Sequence, residues 1–361
     1  MRKPIRIKKF RREANYLLLI LAILVFFGGR LACINDQIKP IKNDEAGQTE
    51  TPVKKLADNE YALNKVIDGD TISVFDLKES VRLLCVDTEE TFKPNDGYDS
   101  DLAYNNWDAY LKVYQKGDDI LKYPTPWGDD ARKFAEDFFD GVETVFLETD
   151  SEARLTDFFD RYLRYVIVEK NGKLVNYNVQ LVQLGYSPYY GKYGYSKNYH
   201  KDFLEAEKYA RENKLGIWTS EGKHYPDYDS RTKWWNERGD SILFFENNFA
   251  DNPSYVMIID EQDWNGLESR IGQKITFFGT VDQYNKKGPP YKLFMTHKVG
   301  RSLLLMTENK DVFYELTDIS GEELFVYVEG VLEKNDKGFF VKVEKSKSVV
   351  PALEMQKKNN I

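Results

Sequence analysis

Beyond residue 60 the chain is built from short apolar runs with period two, broken by turn residues, and a few segments with the period of a helix. Ile72 and Val74, then Val81, Leu83 and Val86, mark two short strands joined by a turn at residues 77–80, which predicts a hairpin. A helix is expected over residues 129–139, a strand over 142–148, and a strand opening on an arginine pair over 160–168. Residues 176–184 read as a short amphipathic helix stopped by Gly185, and residues 203–213 as a last helix after a tyrosine-rich loop at 187–199. Ile217 and Trp218 then close the unit. Strands first and helices afterwards indicate an α+β barrel rather than an alternating parallel sheet.

The second half changes character. Residues 221–254 carry Arg231, Trp234, Trp235 and Arg238 and read as a helical connector between domains. From 255 to 350, strands are expected at 256–259, 274–284, 291–296, 303–306, 312–316, 324–333 and 339–343, the pattern of a second small β-barrel of OB-like type. Phe277, Tyr284 and Phe294 are its base-stacking candidates, with core packing as the competing role. Residues 351–361 are polar and read as a flexible tail.

The N-terminus is different in kind. Seven basic residues between Arg2 and Arg12 precede an apolar run from Tyr16 to Phe27, the layout of a signal peptide or signal anchor over residues 1–34. Residues 35–60 are polar and form a tether. The expected location is extracytoplasmic, secreted or anchored in the membrane; Leu31-Ala32-Cys33 also suggests a lipoprotein, but Arg30 stands where such a site wants an aliphatic residue. Removing residues 1–33, with eight basic groups and one acid, takes the net charge from -8 to -8 - 7 = -15. An acidic body of that kind holds a polyanion only through a local basic patch or bound cations. Cys33 and Cys85 give no disulfide framework, and Cys85 reads as a small buried hydrophobe.

Chemistry concentrates in two stretches, residues 66–71 and 82–91. The hairpin brings Asp70, before its first strand, close to Asp87, after its second, so that both carboxylates can converge on one hard cation. Oxygen donors without a His or Cys cluster favour calcium. Arg82 and Glu90 add a guanidinium for phosphoryl charge and a carboxylate for an attacking water, the groups that phosphodiester hydrolysis needs.

Four motifs occur in order: Asp68-Gly-Asp-Thr71, Arg82-Leu-Leu-Cys-Val-Asp-Thr-Glu-Glu-Thr91, Asp160-Arg-Tyr-Leu-Arg164 and Leu215-Gly-Ile-Trp218. With them, residues 61–220 resemble the staphylococcal nuclease family, an OB-type five-stranded barrel with packed helices that cleaves DNA and RNA with Ca2+. The resemblance implies Asp70, Asp87 and the Thr88 carbonyl as metal ligands, Arg82 and Arg164 as phosphate-gripping residues, and Glu90 as the residue that orients or deprotonates water. It also implies nucleic-acid contacts from Tyr162 and from Tyr189, Tyr190 or Tyr193, with Asp68 as support.

Three departures stand out. Glu89 replaces the usual Pro and is expected to add negative charge near the metal, Leu163 replaces a glycine before Arg164, and residues 92–127 form an acidic insertion, read as a lid over the substrate groove or a solvated loop. The expected function is an exported, membrane-tethered, calcium-dependent nuclease acting on DNA and/or RNA. The alternative is a non-catalytic nucleic-acid-binding or scaffold protein built on the same barrel.

Overall fold

The computed structural model describes residues 59–117, 120–321, 324–345 and 348–359. The segment expected to direct export, nearly all of the expected tether, Cys33, Asp118 and Asp119 lie outside the described residues. Among those described, no helix is long and apolar enough to cross a membrane.

The first barrel consists of β1 (Glu60–Asp68), β2 (Thr71–Val74), β3 (Val81–Leu83), β4 (Thr144–Glu148) and β5 (Tyr162–Lys170). β2 pairs with both β1 and β3, β1 and β5 each pair with β4, and β3 runs parallel to β5, which closes a five-stranded ring. The expected hairpin is β2–β3, with Thr71 opposite Arg82. β6 (Lys173–Asn176) extends β5 as a hairpin. Three helices, α1 (Ser100–Asn105), α2 (Trp107–Tyr114) and α3 (Pro126–Phe139), lie between β3 and β4, while α4 (Tyr177–Gln183) and α5 (His200–Glu212) follow β6. Val81, Leu83, Val145, Leu147, Val166 and Leu181 fill the core.

A second sheet holds β7 (Tyr255–Met257), β8 (Lys274–Gly279), β9 (Val281–Asn285), β10 (Tyr291–Lys298), β11 (Arg301–Thr307), β12 (Val326–Asn335), β13 (Gly338–Lys342) and β14 (Val349–Pro351). β8 and β9 are separated by Thr280 alone and act as one bent strand, pairing through β8 with β12 and through β9 with β10. With β11 parallel to β13, the ring has the same order as the first barrel, strands 1-2-3-5-4-1 with 3 and 5 parallel. Bending one strand at Thr280 removes the two edges an open sheet would expose.

The structure departs from the expected strand at 312–316. That segment lies in α8 (Lys310–Gly321), between the third and fourth strands of the ring. Buried Val312, Phe313 and Leu316 share one face at helical spacing, which a run of five residues cannot distinguish from a buried strand. Phe277 is fully buried in this core, whereas Tyr284 stays exposed. The tail is also ordered: residues 352–359 form α9 (Ala352–Asn359), with Ala352 buried and its N–H donating to Phe325 O at 2.9 Å.

α6 (Tyr228–Phe249) links the barrels; α7 (Glu261–Asn265) follows β7. The first half of α6 places Tyr228 and Trp235 against the insertion, and the second half places Ile242 and Phe245 against Phe278, Phe325 and Tyr327 on the second barrel. The Phe245 and Phe278 rings stack at 4.8 Å.

The insertion is not a solvated loop but folds into α1 and α2 around buried aromatics. Its aromatic residues Tyr110 and Tyr123 are buried with Tyr225, Tyr228 and Trp235, and Trp107 stacks on Tyr110 at 5.3 Å. Several of its acids serve as local caps: Asp99 accepts from the Leu102 N–H at the start of α1, and Asp96 from the N–H groups of Lys93 and Tyr98.

Glu89 ties these parts together. Its side chain is buried, Oε1 accepting from the Tyr225 N–H at 2.7 Å and the Tyr228 hydroxyl at 2.8 Å, and Oε2 accepting from the Thr125 hydroxyl. Thr125 in turn caps α3 through the Gly128 N–H. Glu89, expected to add its charge near the metal, instead turns its carboxylate to Thr125, Tyr225 and Tyr228, and none of its hydrogen-bond partners belongs to the Asp70 and Asp87 cluster. Burial pushes its carboxyl up, against the three donors that favour the charged form.

A Glu89→Ala variant orphans three buried donors and is expected to lose about 3 kcal/mol or more in urea unfolding. Glu89→Gln keeps both bonds at Oε1 and removes a buried charge, so it should stay within about 1 kcal/mol of the parent.

Candidate active site

Asp70 sits in the turn between β1 and β2. Gly69 beside it is required by space, since a Cβ there would lie 2.9 Å from Thr88 Oγ1. This close approach lets the Thr88 N–H donate to Asp70 Oδ2 at 3.0 Å, while Oδ1 accepts from the Thr71 hydroxyl at 2.8 Å. Leu83 N–H donates to Asp70 O at 3.0 Å, so the turn is stitched to the end of β3.

Asp87 follows β3 after a sharp turn at Cys85, which has a φ of 61° although it is not glycine. Cys85 is buried, as expected, its thiol 3.7 Å from the Tyr165 hydroxyl. The Asp87 N–H donates to Ser187 Oγ at 2.8 Å. Arg82 then bridges the two acids: Nη1 pairs with Asp70 Oδ1 and Nη2 with Asp87 Oδ1. Both carboxylates are almost fully buried, and burial alone would raise Asp87; Lys122 and Arg82 instead hold it below its ordinary value. Burial likewise opposes the Arg82 charge, and the Asp70 and Asp87 carboxylates outweigh it.

The fourth partner is Lys122, which the sequence reading did not single out. Its Nζ lies 2.6 Å from Asp87 Oδ2. No motif marks it, because it comes from the insertion and reaches the site only through tertiary packing. Glu90 stands next to this cluster and acts electrostatically on both Lys122 and Asp68. The Glu90 carbonyl accepts from the Thr125 N–H at 3.0 Å, and Gly128 packs so closely that a Cβ would sit 2.1 Å from that oxygen. The backbone of Glu90 is thereby fixed on the first turn of α3. Its carboxylate is half-buried and takes no hydrogen bond from a described residue, leaving its lone pairs for water.

Among the described residues Arg164 makes no ion pair with this cluster. In the parallel pairing of β3 with β5, Arg82 lies beside Leu163 and Leu83 beside Arg164, which puts the two arginines on adjacent strands one register step apart. Arg164 Nη1 donates to Leu155 O at 2.9 Å and Leu163 O at 2.7 Å, and its guanidinium lies 5.4 Å from the Tyr162 ring. Leu163, where the resemblance expects glycine, is buried and keeps β5 regular at this point. Of the tyrosines, Tyr189 is buried and stacked on Phe203 at 4.8 Å, which removes it as a base-stacking surface. Tyr190 feels the Asp87 charge and packs edge-on against Trp235 at 5.0 Å, while Tyr193 is exposed.

Asp70 and Asp87 supply buried oxygen donors that already converge on one cationic group, and such donors fit a hard divalent cation. Among the described residues no group of three or more His, Cys, Asp or Glu side chains is placed to hold a metal, so the two carboxylates with the Thr88 carbonyl would leave the remaining positions to water or substrate oxygen.

A family model described as staphylococcal nuclease homologue matches residues 80–220. The chain is 35% identical over 156 residues to the uncharacterized protein MJ1439 of Methanocaldococcus jannaschii, covering 43% of this chain and 69% of that one. It belongs to the staphylococcal nuclease family. Endonuclease YncB of Bacillus subtilis is 31% identical over 171 residues, covering 47% of this chain and 65% of the relative. The match to the family model begins at β3, so β1, β2 and the turn holding Asp70 are joined to the nuclease domain by the closed barrel itself. The nuclease fold accordingly has its OB-type barrel and packed helices, with the second β-barrel following it.

Asp68 supports the site from below. Oδ1 accepts from the Gly69 N–H at 2.9 Å and Oδ2 from the Thr91 hydroxyl at 3.3 Å. Burial first, and the Asp70 charge second, push its carboxyl up to about 6. A folded value above the unfolded one means that Asp68 favours the fold below about pH 4 and loses that contribution as pH rises through 6. Asp68→Asn retains both hydrogen bonds and is expected to stabilise the protein by about 1–2 kcal/mol at pH 7.5 in chelator, with the gain fading below pH 5 in thermal melts.

Proposed function

We propose that the chain is an exported, membrane-tethered, calcium-dependent nuclease that hydrolyses phosphodiester bonds of DNA and/or RNA by attack of water at phosphorus. The observation that carries this reading is the convergence of Asp70, Arg82 and Asp87 beside Glu90, on the barrel of a nuclease family. The name of the Bacillus relative, an endonuclease, adds support. Export and tethering rest on the basic and apolar pattern of residues 1–34, and an extracytoplasmic site agrees with calcium as the cation.

Asp70, Asp87 and the Thr88 carbonyl would hold the cation, which when bound neutralises charge on the phosphoryl oxygens. The planar fork of Arg82, which spans two carboxylates, has the geometry to span two phosphate oxygens. Glu90, with its carboxylate open and its backbone fixed on α3, orients the attacking water and accepts its proton. Tyr193 and Tyr162 lie at less buried positions suited to stacking on bases. The surrounding carboxylates keep the region acidic, so a nucleic acid approaches with its charge screened by cations.

One observation favours the non-catalytic scaffold: Arg164, implied as the second phosphate-gripping arginine, spends its guanidinium on the Leu155 and Leu163 carbonyls. That reading expects nucleic-acid binding without cleavage.

Digestion of single-stranded DNA, double-stranded DNA and RNA, in calcium and then in chelator, separates the two. The catalytic reading expects cleavage in calcium alone and a fall in kcat of roughly 100-fold or more for Glu90→Gln. Cleavage indifferent to chelator, or to Glu90→Gln, would reject it.

A further inference from the structure

Phosphodiester hydrolysis concentrates negative charge on the phosphoryl oxygens, and one guanidinium is poorly matched to it. Arg82 is the only arginine in the described cluster, and Arg164 is engaged with carbonyl groups elsewhere. We propose that Lys122, delivered by the insertion, is the second cationic contact to the phosphodiester at this site. The inference rests on the nuclease reading and adds Lys122 to Arg82 as a cation at Asp87.

Three observations support it. The ammonium lies 2.6 and 2.8 Å from the two oxygens of Asp87, so it is already inside the group that would receive the phosphate. Its side chain is 44% exposed, which leaves the stem free to follow an incoming anion.

The third concerns the backbone on either side, which is held far more firmly than a solvated lysine requires. Leu121 O accepts from the buried Arg231 guanidinium, the Tyr123 N–H donates to the Tyr225 hydroxyl at 3.1 Å, and that hydroxyl donates to Tyr123 O at 2.7 Å. Two residues on, Thr125 N–H donates to Glu90 O. Lys122 and Glu90 are therefore spaced by shared backbone contacts.

Arg231 is itself paired with Asp227 at 2.6 Å, and its guanidinium lies 4.0 Å from the Tyr225 ring. Tyr225 and Arg231 lie beyond the 80–220 stretch that matches the family. On this account they are positioning residues: the segment leading into α6 completes the nuclease site by aiming a lysine into it. Lys122 would be a catalytic residue supplied by an insertion and fixed by the connector.

The test compares the full chain with Lys122→Met, Lys122→Arg and Lys112→Met, the last removing an exposed lysine of the same insertion. kcat/KM on single-stranded DNA in calcium is measured across a salt series. Binding of the same oligonucleotide is followed by fluorescence anisotropy in a Glu90→Gln background.

Lys122→Met is expected to lower kcat/KM roughly 10- to 100-fold and to reduce the salt slope by about 1, in cleavage and in binding alike. Lys122→Arg should recover most of both, and Lys112→Met should match the parent. If Lys122→Met lowers the melting temperature while leaving kcat/KM and the salt slope within about twofold of the parent, the lysine merely neutralises Asp87 and the proposal is overturned. A parent protein that neither binds nor cleaves would overturn this inference together with the nuclease reading.

Discussion

The burial of one carboxylate, Glu89, is the constraint on which the surroundings of the site depend. A charge taken out of water has to be met by donors, and the three that meet it come from three different places: the cap of α3, the backbone at Tyr225 and the first turn of α6. Each of those places then has its own dependants. The cap positions the helix that holds the Glu90 backbone, Tyr225 pins the strand of insertion before α3, and α6 carries the second barrel. A proline at this position could make none of these bonds. The departure from the family pattern at residue 89 is thus what permits the additional parts to dock as a unit.

Next to that buried charge lies a cluster in which carboxylates and cations are nearly balanced. Asp70 and Asp87 face Arg82 and Lys122, so the two buried anions are not left in mutual repulsion. The two cations reach the cluster by different routes, Arg82 along the hairpin and Lys122 from the insertion. Glu90 makes no salt bridge or side-chain hydrogen bond among the described residues, although its charge is felt by Lys122.

Much of this was legible in the chain. Asp70, Arg82 and Asp87 are set by local geometry: a two-strand hairpin with known register places turn and strand ends together, and the glycine between Asp68 and Asp70 announces the close approach of Thr88. The carbonyl partners of Arg164 were not legible in the same way, because a motif gives spacing and not the loop that a side chain meets; Leu155 comes from outside the motif. The acids of the insertion are conspicuous in composition while its aromatics decide its fate: Tyr123 finds its partner over a hundred residues away in Tyr225, and Tyr110 packs on Tyr123. Lys122 carried no signal at all, since its meaning comes from those same remote contacts. The strand expected at 312–316 was ambiguous for a simpler reason, that five apolar-rich residues satisfy either period.

The insertion also bears on how the barrel assembles. β3 and β5 must pair across a long connection, and lengthening a loop raises its closure entropy only logarithmically, by about 0.6 kcal/mol for a doubling. Extra chain between β3 and β4 therefore adds little to the thermodynamic cost of closing the ring. Its cost falls on the folding rate, because the parallel pair and the aromatic cluster around Tyr110 both join residues far apart in sequence. Tyr225 and Tyr228 complete the frame around Lys122 and Glu89, so in a chain made from its N-terminus this cluster is finished only after the segment that follows the barrel has been added.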